Sequence, residues 1–317
     1  MERPVLLGVV GDSGSGKSTI TRGLVRVLGG DQVTHFSSDD YHAFDRRQRS
    51  ERGITPLNPE ANHLDILEQH LAHLRRGRPV MRPVYRHADG TFAPPEYVEP
   101  AEFIVVEGLL AFSNKHLCEM FDVRVYLAPP EDLRRQWKVQ RDCTFRGYTT
   151  DEVLSELDRR EPDSETFIRP QRHSADIVVA FQPTVSRELD RLDCVLTLNA
   201  SLPHPDLTDV VDNKAGLELR ERPDGAMELR VPGRLDPDRA SRIENAVWER
   251  MHFASHLREQ RLGEFMNGTD LHRSDSLAIV QLLILYQLVL AREVIARGHE
   301  SHRDFDVSSL QELVTGT

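Results

Sequence analysis

The chain has 317 residues, which is enough for one large α/β domain or for one domain with an extension. Its 51 acidic residues outnumber its 40 basic ones, and the formal charge of -11 argues against a general nucleic-acid or polyanion binder. Three widely spaced cysteines argue against a disulfide framework or a structural zinc site, and the N-terminus lacks a signal-peptide pattern, so we expect a cytoplasmic protein.

A buried strand, a glycine-rich loop and a helix open the chain. The strand covers residues 5–10, and the helix runs from residue 17 to about 28. The loop between them fits G-x-x-x-x-G-K-[ST] completely, in the strand-then-helix context that this motif requires. An ordinary glycine turn is the alternative, and Lys17 and Ser18 disfavour it.

The glycine-rich loop predicts a nucleoside triphosphate site. Backbone N–H groups and the helix N-terminus would surround the phosphates. Lys17 would reach the β- and γ-phosphates, and the Ser18 hydroxyl would ligate Mg²⁺. The predicted ATP-binding residues are Gly11, Asp12, Ser13, Gly14, Ser15, Gly16, Lys17, Ser18 and Thr19.

Two carboxylates stand at the ends of predicted strands, at the edge where open α/β sheets bind ligands. Asp39 follows the strand at 33–36, where it could accept a proton from an attacking hydroxyl, although a turn rich in Asp and Ser explains it equally well. Glu107 follows the strand at 103–106, which is the Walker B pattern, and a simple strand-ending turn is the alternative. With the glycine-rich loop, Ser18 and Glu107 make a predicted Mg²⁺ site.

Cations are concentrated on a predicted helix–loop–helix. The first helix covers 131–146 and carries Lys138, Arg141 and Arg146, and a capping box opens a second helix at 149–160. This segment could be a lid whose cations meet the charge that develops on a transferred phosphoryl group. A solvated charged face explains the same pattern, because arginine is common throughout the chain.

Alternating strands and helices predict an α/β fold, with a P-loop-type, mostly parallel sheet flanked by helices. Beyond about residue 200 the pattern changes. Alternating residues at 216–221 and 226–231 flank a Pro-Asp-Gly turn and predict an antiparallel hairpin. Helices follow from about residue 236, with polar loops near 263–275. We therefore expect a P-loop domain at 1–200 and a C-terminal extension at 201–317.

One apolar run, residues 277–291, needs to be tested as a membrane span. It is shorter than the roughly 20 residues that a span requires, and two glutamines interrupt it. We expect a buried core helix or a dimer helix, and no membrane partner. Together with the hairpin, this helix makes a homodimer an expectation.

Further motifs make the first 180 residues resemble the phosphoribulokinases, a family of P-loop kinases. These motifs follow the glycine-rich loop in the matching order over about residues 4–180. They are Asp-Asp-Tyr-His at 39–42, Asn-Pro-Glu-Ala-Asn at 58–62, Tyr-x-His at 85–87, Glu-Gly-Leu at 107–109, Trp-Lys-x-Gln-Arg-Asp at 137–142, Arg-Gly-Tyr at 146–148, Arg-Arg at 159–160 and Pro-Gln at 170–171. By composition alone, the segments at 58–62 and 83–87 are loop residues without special chemistry. The resemblance implies a kinase fold like that of uridine kinases, and transfer of phosphate from ATP, with Mg²⁺, to D-ribulose 5-phosphate.

The resemblance also implies roles by position. The implied catalytic residues near the glycine-rich loop are Lys17, Glu107 and Asp39, which would be the base at the substrate hydroxyl. In a lid of about 137–172, the implied catalytic residues are Lys138, Asp142 and Arg146. The implied substrate-binding residues are His42, Arg46, Arg49, Tyr85, His87, Arg141, Arg159 and Arg160. The implied partners are ATP and ribulose 5-phosphate, with no nucleic acid.

The chain departs from the family at two places. Ser15 stands where chloroplast members carry a regulatory cysteine, so we expect no thioredoxin-type disulfide switch. A family lysine is missing near Ser50, where Arg49 or Arg52 would substitute. Two other readings stay open: a uridine-type nucleoside kinase, which shares the loop and the first Asp, and an ATP-sensing regulator without catalysis.

Overall fold

The computed structural model describes residues 2–184, 191–214, 216–259, 262–267, 270–305 and 309. The strands are β1 (Val5–Gly11), β2 (Val33–Ser37), β3 (Val80–Arg86), β4 (Thr91–Val98), β5 (Phe103–Gly108), β6 (Val123–Leu127), β7 (Ile177–Gln182), β8 (Asp193–Leu198), β9 (Glu218–Glu221), β10 (Met227–Val231), β11 (Glu264–Asn267) and β12 (Asp270–Arg273). The helices are α1 (Lys17–Leu28), α2 (Arg46–Arg52), α3 (Leu64–Arg75), α4 (Lys115–Met120), α5 (Glu131–Phe145), α6 (Thr150–Asp163), α7 (Pro237–Glu249) and α8 (Asp275–Ala296).

An eight-stranded sheet in the order β2-β5-β1-β6-β7-β8-β10-β9 forms the centre of the molecule. The pairs from β2 to β7 are parallel, and the pairs from β7 to β9 are antiparallel. The predicted α/β fold with a mostly parallel sheet is therefore confirmed. Because parallel strands end at the same edge, the residues that follow β1, β2 and β5 are brought together.

Side chains of β1 alternate between two apolar layers, as the pleat of a strand requires. Leu6 and Val10 face the layer that contains α3 and α4. Val5, Leu7 and Val9 face a larger layer that contains α1, α7 and α8. The sheet is thus covered on both faces, which explains why β1 is apolar along its whole length.

Helix α8 is a core helix of the larger layer, as its sequence predicted. By length and composition it could cross a membrane, but 89% of its most apolar window is buried inside the protein. It packs on α1, β1, β6 and β8. A homodimer stays a prediction.

Several predictions about local structure were incomplete or wrong. Residues 83–86 are not loop but the end of β3, in a hairpin with β4, whereas His87 lies in the turn that follows. Pro83 and a register shift between Arg82 and Val84 hide the alternation of β3. The segment predicted as polar loop near 263–275 contains the hairpin β11–β12. Helix α6 runs past its predicted end to Asp163. Helices α2, α3 and α4 were not predicted.

The predicted hairpin of β9 and β10 is confirmed, and β10 pairs with β8 at the edge of the main sheet. The extension is therefore continuous with the sheet. The division into two domains near residue 200 stays a prediction.

Candidate functional site

The glycine-rich loop forms a cradle between β1 and α1. Gly14 and Gly16 have φ values of 86° and 96°, in the left-handed region that favours glycine. The Lys17 ammonium donates hydrogen bonds to the carbonyl oxygens of Gly11, at 2.8 Å, and Asp12, at 2.9 Å. These bonds hold the ammonium against the inside of the loop, where a phosphate group would meet it.

Lys17 is surrounded by negative charge. Burial lowers the pKa of its ammonium, while the carboxylates of Asp39, Glu107 and Asp12 act in the opposite direction and favour the charged form. Asp39 and Glu107 come from different strands. Their common influence on Lys17 shows that the two predicted acidic positions converge on the cradle.

Glu107 joins β5 to the cradle. The Ser18 hydroxyl donates to Glu107 Oε1 at 3.0 Å, and the Thr21 hydroxyl donates to Oε2 at 3.2 Å. His35 Nε2 lies 3.7 Å from the same carboxylate, and burial lowers the pKa of that histidine against the attraction of Glu107. The two predicted Mg²⁺ ligands are thus in contact.

This oxygen pair fits Mg²⁺. The ion takes one or two protein oxygens and completes its octahedron with water and phosphate oxygens. Within the described ranges, no cluster of three or more His, Cys, Asp or Glu side chains forms a separate metal site. Ser18 and Glu107 would therefore hold Mg²⁺ together with the nucleotide.

Asp39 lies in a short 3-10 turn that follows β2. Its carboxylate Oδ1 accepts from the backbone N–H of Leu109 at 3.1 Å, and its own N–H donates to the Ser37 hydroxyl at 3.1 Å. Gly108 permits this approach, because a Cβ there would lie 1.9 Å from the Ser38 hydroxyl oxygen. Asp39 is thereby fixed beside the end of β5, next to Glu107.

The neighbouring Asp40 has a different position. It accepts from the backbone N–H of Tyr85 at 2.9 Å and pairs with Arg82, and burial raises the pKa of its carboxyl group. Asp40 therefore fastens the hairpin of β3 and β4 to the turn, whereas Asp39 borders the cleft.

A cluster of aromatic rings and cations lies on the far side of Asp39. Arg49 donates to the Tyr85 hydroxyl at 2.7 Å. The Tyr85 ring meets the rings of His42 and His87 edge-on, with centroids 4.8 Å and 5.1 Å away. Arg46 donates to the carbonyl oxygen of His87 at 2.6 Å. Five predicted substrate residues are thus brought together.

His42 is held in one orientation. Its Nδ1 lies 2.7 Å from Oδ1 of Asn62, whose amide NH₂ donates to the carbonyls of Pro56 and Asn58. The amide is therefore oriented with its oxygen toward the ring, so Nδ1 carries the proton and Nε2 is an acceptor. Burial lowers the pKa of His42 to about 4, and the ring is neutral at neutral pH. Sequence reasoning missed this positioning role of Asn62.

The lid cations collect around one carboxylate. Lys138 Nζ lies 2.6 Å from Asp142 Oδ2, Arg141 Nε lies 2.8 Å from Oδ1, and Arg146 is 3.5 Å away. Burial lowers the pKa of Lys138 to about 8. Burial acts to raise the pKa of Asp142, but hydrogen bonds from Arg141 and Lys138 outweigh it and hold the value at about 2.

Both members of the Lys138–Asp142 pair are charged at neutral pH. Lys138 is 5% exposed, so the alternative of a solvated charged face does not hold for it. Arg159 and Arg160 both pair with Glu156 and border the same cleft.

Helix α5 and the end of the predicted lid are each fastened to the cradle by a contact that sequence reasoning missed. Arg134 donates to the carbonyl oxygen of Ser13 at 2.9 Å, and the Ser164 hydroxyl donates to the Asp12 carboxylate at 2.7 Å. A Cβ on Gly14 would lie 2.9 Å from Lys138 Cβ. No local sequence pattern marks Ser164, because its partner lies 152 residues away.

Most predicted site residues border one open cleft above the carboxyl edge of the parallel strands. They are Ser13, Gly14, Ser15, Gly16, Lys17, Ser18, Thr19, Asp39, His42, Arg46, Arg49, Tyr85, His87, Glu107, Lys138, Arg141, Asp142, Arg146, Arg159 and Arg160. Gly11 and Asp12 lie at the base of the loop, outside the cleft lining. The roles of these residues stay predictions.

Comparisons with known proteins agree with the expected family. A sequence model described as the phosphoribulokinase / uridine kinase family matches residues 6–188. A phosphoribulokinase from Synechocystis sp. is 40% identical over 184 residues, which cover 58% of this chain and 55% of that protein. A uridine kinase from Brevibacillus brevis is 33% identical over 184 residues, which cover 56% of this chain and 86% of that protein. The chain thus spans about half the length of the phosphoribulokinases that it matches.

The fold has a counterpart among solved structures. A phosphoribulokinase from Rhodobacter spheroides superposes with a TM-score of 0.56 at 20% identity, covering 82% of this chain and 99% of that structure. At this identity the likeness concerns the fold alone.

Proposed function

Because the chain belongs to the phosphoribulokinase / uridine kinase family, we propose that it transfers the γ-phosphate of ATP to D-ribulose 5-phosphate, with Mg²⁺, to give ribulose 1,5-bisphosphate. One observation carries the proposal. A single cleft joins the phosphate cradle to Asp39 and, beyond Asp39, to the cluster of His42, Arg49 and Tyr85. A phosphate donor, a proton acceptor and a polar acceptor pocket would thus share one cleft.

In the proposed reaction the cradle holds the triphosphate. The backbone amides and Lys17 bind the terminal phosphate oxygens, and Ser18 and Glu107 would hold Mg²⁺, which neutralises charge on those oxygens. Asp39 accepts the proton of the attacking hydroxyl of the sugar. Its Oδ1 is already bonded to the Leu109 N–H, which fixes the direction of the carboxylate.

The cations of the lid would act on the transferred group. Arg141 and Arg146 border the cleft and share the Asp142 carboxylate, so each can also reach an anionic ligand. Closure of the lid would exclude water, which competes with the sugar as acceptor.

A sugar phosphate suits the acceptor pocket. Guanidinium groups bind phosphate in a planar, bidentate manner, and Arg46 and Arg49 of α2 contact His87 and Tyr85. Neutral His42 offers Nε2 as an acceptor for a sugar hydroxyl. The second candidate is a nucleoside kinase, which is favoured by a match that covers 86% of a uridine kinase but only 55% of the Synechocystis phosphoribulokinase.

The test is a coupled assay of ADP release with ribulose 5-phosphate and, separately, with uridine. Turnover with ribulose 5-phosphate and none with uridine supports the proposal. Turnover with uridine alone rejects it in favour of the nucleoside kinase. Binding of ATP without turnover on either acceptor supports an ATP-sensing role.

A further inference from the structure

The cleft has a second end, which the acceptor pocket does not use. Along the sheet, Asp39 follows β2 and Glu107 ends β5, whereas the cradle follows β1. On the other side of the cradle the cleft reaches Phe181 in β7 and Leu192 just before β8. The cradle therefore stands between a charged end at β2 and an apolar end at β7 and β8.

Residues of the C-terminal extension enclose the apolar end. Phe265 and Met266 of β11, Leu277 of α8 and Trp137 of α5 also line the cleft. Of these, Phe265, Leu277 and Trp137 belong to the same apolar layer as Phe181 and Leu192. The Phe265 ring is stacked on His272 of β12, with centroids 5.7 Å apart and planes at 28°. The Trp137 ring lies 3.8 Å from the position of a Cβ on Gly16, directly beside the cradle.

Buried contacts hold the β11–β12 hairpin next to the cradle. Gln281 of α8 accepts from the Gly263 N–H at 2.8 Å and donates to the carbonyl oxygen of Thr19 at 3.3 Å. Gly23 makes this possible, because a Cβ there would lie 2.0 Å from the Gln281 amide nitrogen. Glu264 also pairs with Arg26 of α1. The first turn of α1 and the start of β11 are thus joined by one fully buried side chain.

We propose that the apolar end binds the base of the nucleotide, and that the extension supplies one wall of this base pocket through Phe265 and Met266. The inference rests on the proposed function, because a triphosphate whose terminal group faces Asp39 must place its nucleoside on the opposite side of the cradle. Aromatic faces bind planar bases by stacking. The phosphate cradle and the acceptor pocket lie within the family match, whereas this wall lies outside it.

Isothermal titration with two probes tests the base pocket. ATP carries a base, and inorganic tripolyphosphate carries the same chain of phosphates without one. Phe265→Ala is expected to weaken ATP roughly tenfold, since loss of one stacking partner has effects of this order. Met266→Ala is expected to weaken ATP severalfold. Affinity for tripolyphosphate should stay unchanged in both variants.

Met81→Ala is the matched control. Met81 and Met266 are each 55% exposed and each lies on a two-stranded hairpin, but Met81 is outside the cleft lining. Met81→Ala should leave the affinity for ATP unchanged. Because Met266 is exposed, its variant keeps the test decisive if Phe265→Ala does not fold.

Two results would overturn the base pocket: affinity for ATP within twofold of the wild type in the Met266 variant and any folded Phe265 variant, or a parallel loss of tripolyphosphate binding. Failure of the proposed function looks different. If the wild-type protein binds ATP more tightly than tripolyphosphate but does not turn over ribulose 5-phosphate, the proposed acceptor is wrong and the base pocket still stands.

Discussion

The two edges of the parallel sheet both hold buried carboxylates with attached arginines, yet their surroundings differ. Above the carboxyl edge, Asp142 is bonded to Lys138 and Arg141 and has a pKa of about 2. At the amino edge, Asp176 stands just before β7. Burial acts to raise its pKa, but bonds from Arg303 and Arg124 outweigh burial and again hold the value at about 2.

The difference lies in what else the cations can reach. Around Asp142, the side chains of Arg141 and Arg146 are 36% and 37% exposed and border the cleft. Around Asp176, Arg303 also donates to the carbonyl oxygens of Phe121 and Asp122, so it is committed to the fold. A strongly shifted pKa therefore does not by itself mark a functional acid. Asp142 differs from Asp176 in that the arginines bonded to it also border a cleft at the carboxyl edge.

The largest expected effect at the carboxyl edge is that of Asp39→Asn. An asparagine keeps an oxygen for the Leu109 N–H but cannot accept the proton of the attacking hydroxyl. We expect kcat to fall by about 10²–10⁴-fold. The affinity for ATP and the free energy of unfolding should change little. Steady-state kinetics, titration with ATP and urea unfolding measure the three quantities, and an unchanged kcat would remove Asp39 from its proposed role.

The opposite pattern is expected for Asp176→Ala at the amino edge. Removal of this fully buried carboxylate leaves Arg124 and Arg303 without their shared partner, which should lower the free energy of unfolding by about 3–5 kcal/mol. The kcat of the folded fraction should stay the same. Urea unfolding and an assay normalised to folded protein test both points.

Asp158→Ala is the matched control for Asp176→Ala. Asp158 also pairs with an arginine, Arg135 at 2.6 Å, but its side chain is 69% exposed. Its loss should lower the free energy of unfolding by at most about 1 kcal/mol. If the two variants were equally stable, the amino-edge cluster would have no special structural role.

Buried histidines near the two edges predict an acid-sensitive fold. Burial lowers the pKa of His42 and of His302 to about 4 in each case. Because the ordinary value is 6.5, the unfolded chain takes up these protons first, so the free energy of unfolding should fall as the pH decreases from about 6.5 to 4. At pH 5 each histidine would lower it by about 2 kcal/mol.

The variant His302→Gln separates the contribution of His302 to the pH dependence of stability from that of His42. A glutamine can still donate to Gln287 Oε1, which His302 Nε2 meets at 3.1 Å, but it does not titrate. The loss of stability between pH 7 and pH 5 should then become smaller by about 2 kcal/mol. Urea unfolding at both pH values measures it, and a slope equal to that of the wild type would contradict the expectation.

A further expected effect concerns the charge of Lys138. Its pKa of about 8 means that the ammonium loses its proton just above neutral pH. If this charge acts on the transferred phosphoryl group, kcat should fall by about tenfold per pH unit above pH 8. Lys138→Arg, whose side chain stays charged, should remove this decline. A decline that persists in the variant would place its origin elsewhere.

Local patterns allowed much of the carboxyl edge to be predicted from sequence. The strand–loop–helix around Lys17 and the acidic ends of β2 and β5 are encoded within a few residues each, and sheet topology alone then brings them together. The resemblance to a family singled out Tyr85 and His87, and the structure brings both to the cleft that Asp39 borders, while their binding roles stay predictions. Composition gave no sign of the strand that carries Tyr85.

The unpredicted parts depend on contacts between distant segments. The contact of Gln281 with Thr19 joins residues that are 262 positions apart, and the need for Gly23 becomes visible only with that contact. The hydrogen bond by which Asn62 orients His42 becomes visible only when the folded path of the chain between the two residues is known. The β11–β12 hairpin escaped notice because strands of four residues are too short to show a clear alternation.

The place of α8 in the core has a consequence for synthesis on the ribosome. Helix α8 covers β1, which the ribosome makes long before it: at 5–20 residues per second the helix emerges roughly 15 to 50 seconds after that strand. During this interval the nascent chain carries an incomplete apolar layer, the condition under which chaperones bind and aggregation competes. Translation speed and chaperone supply should therefore govern the yield of native protein.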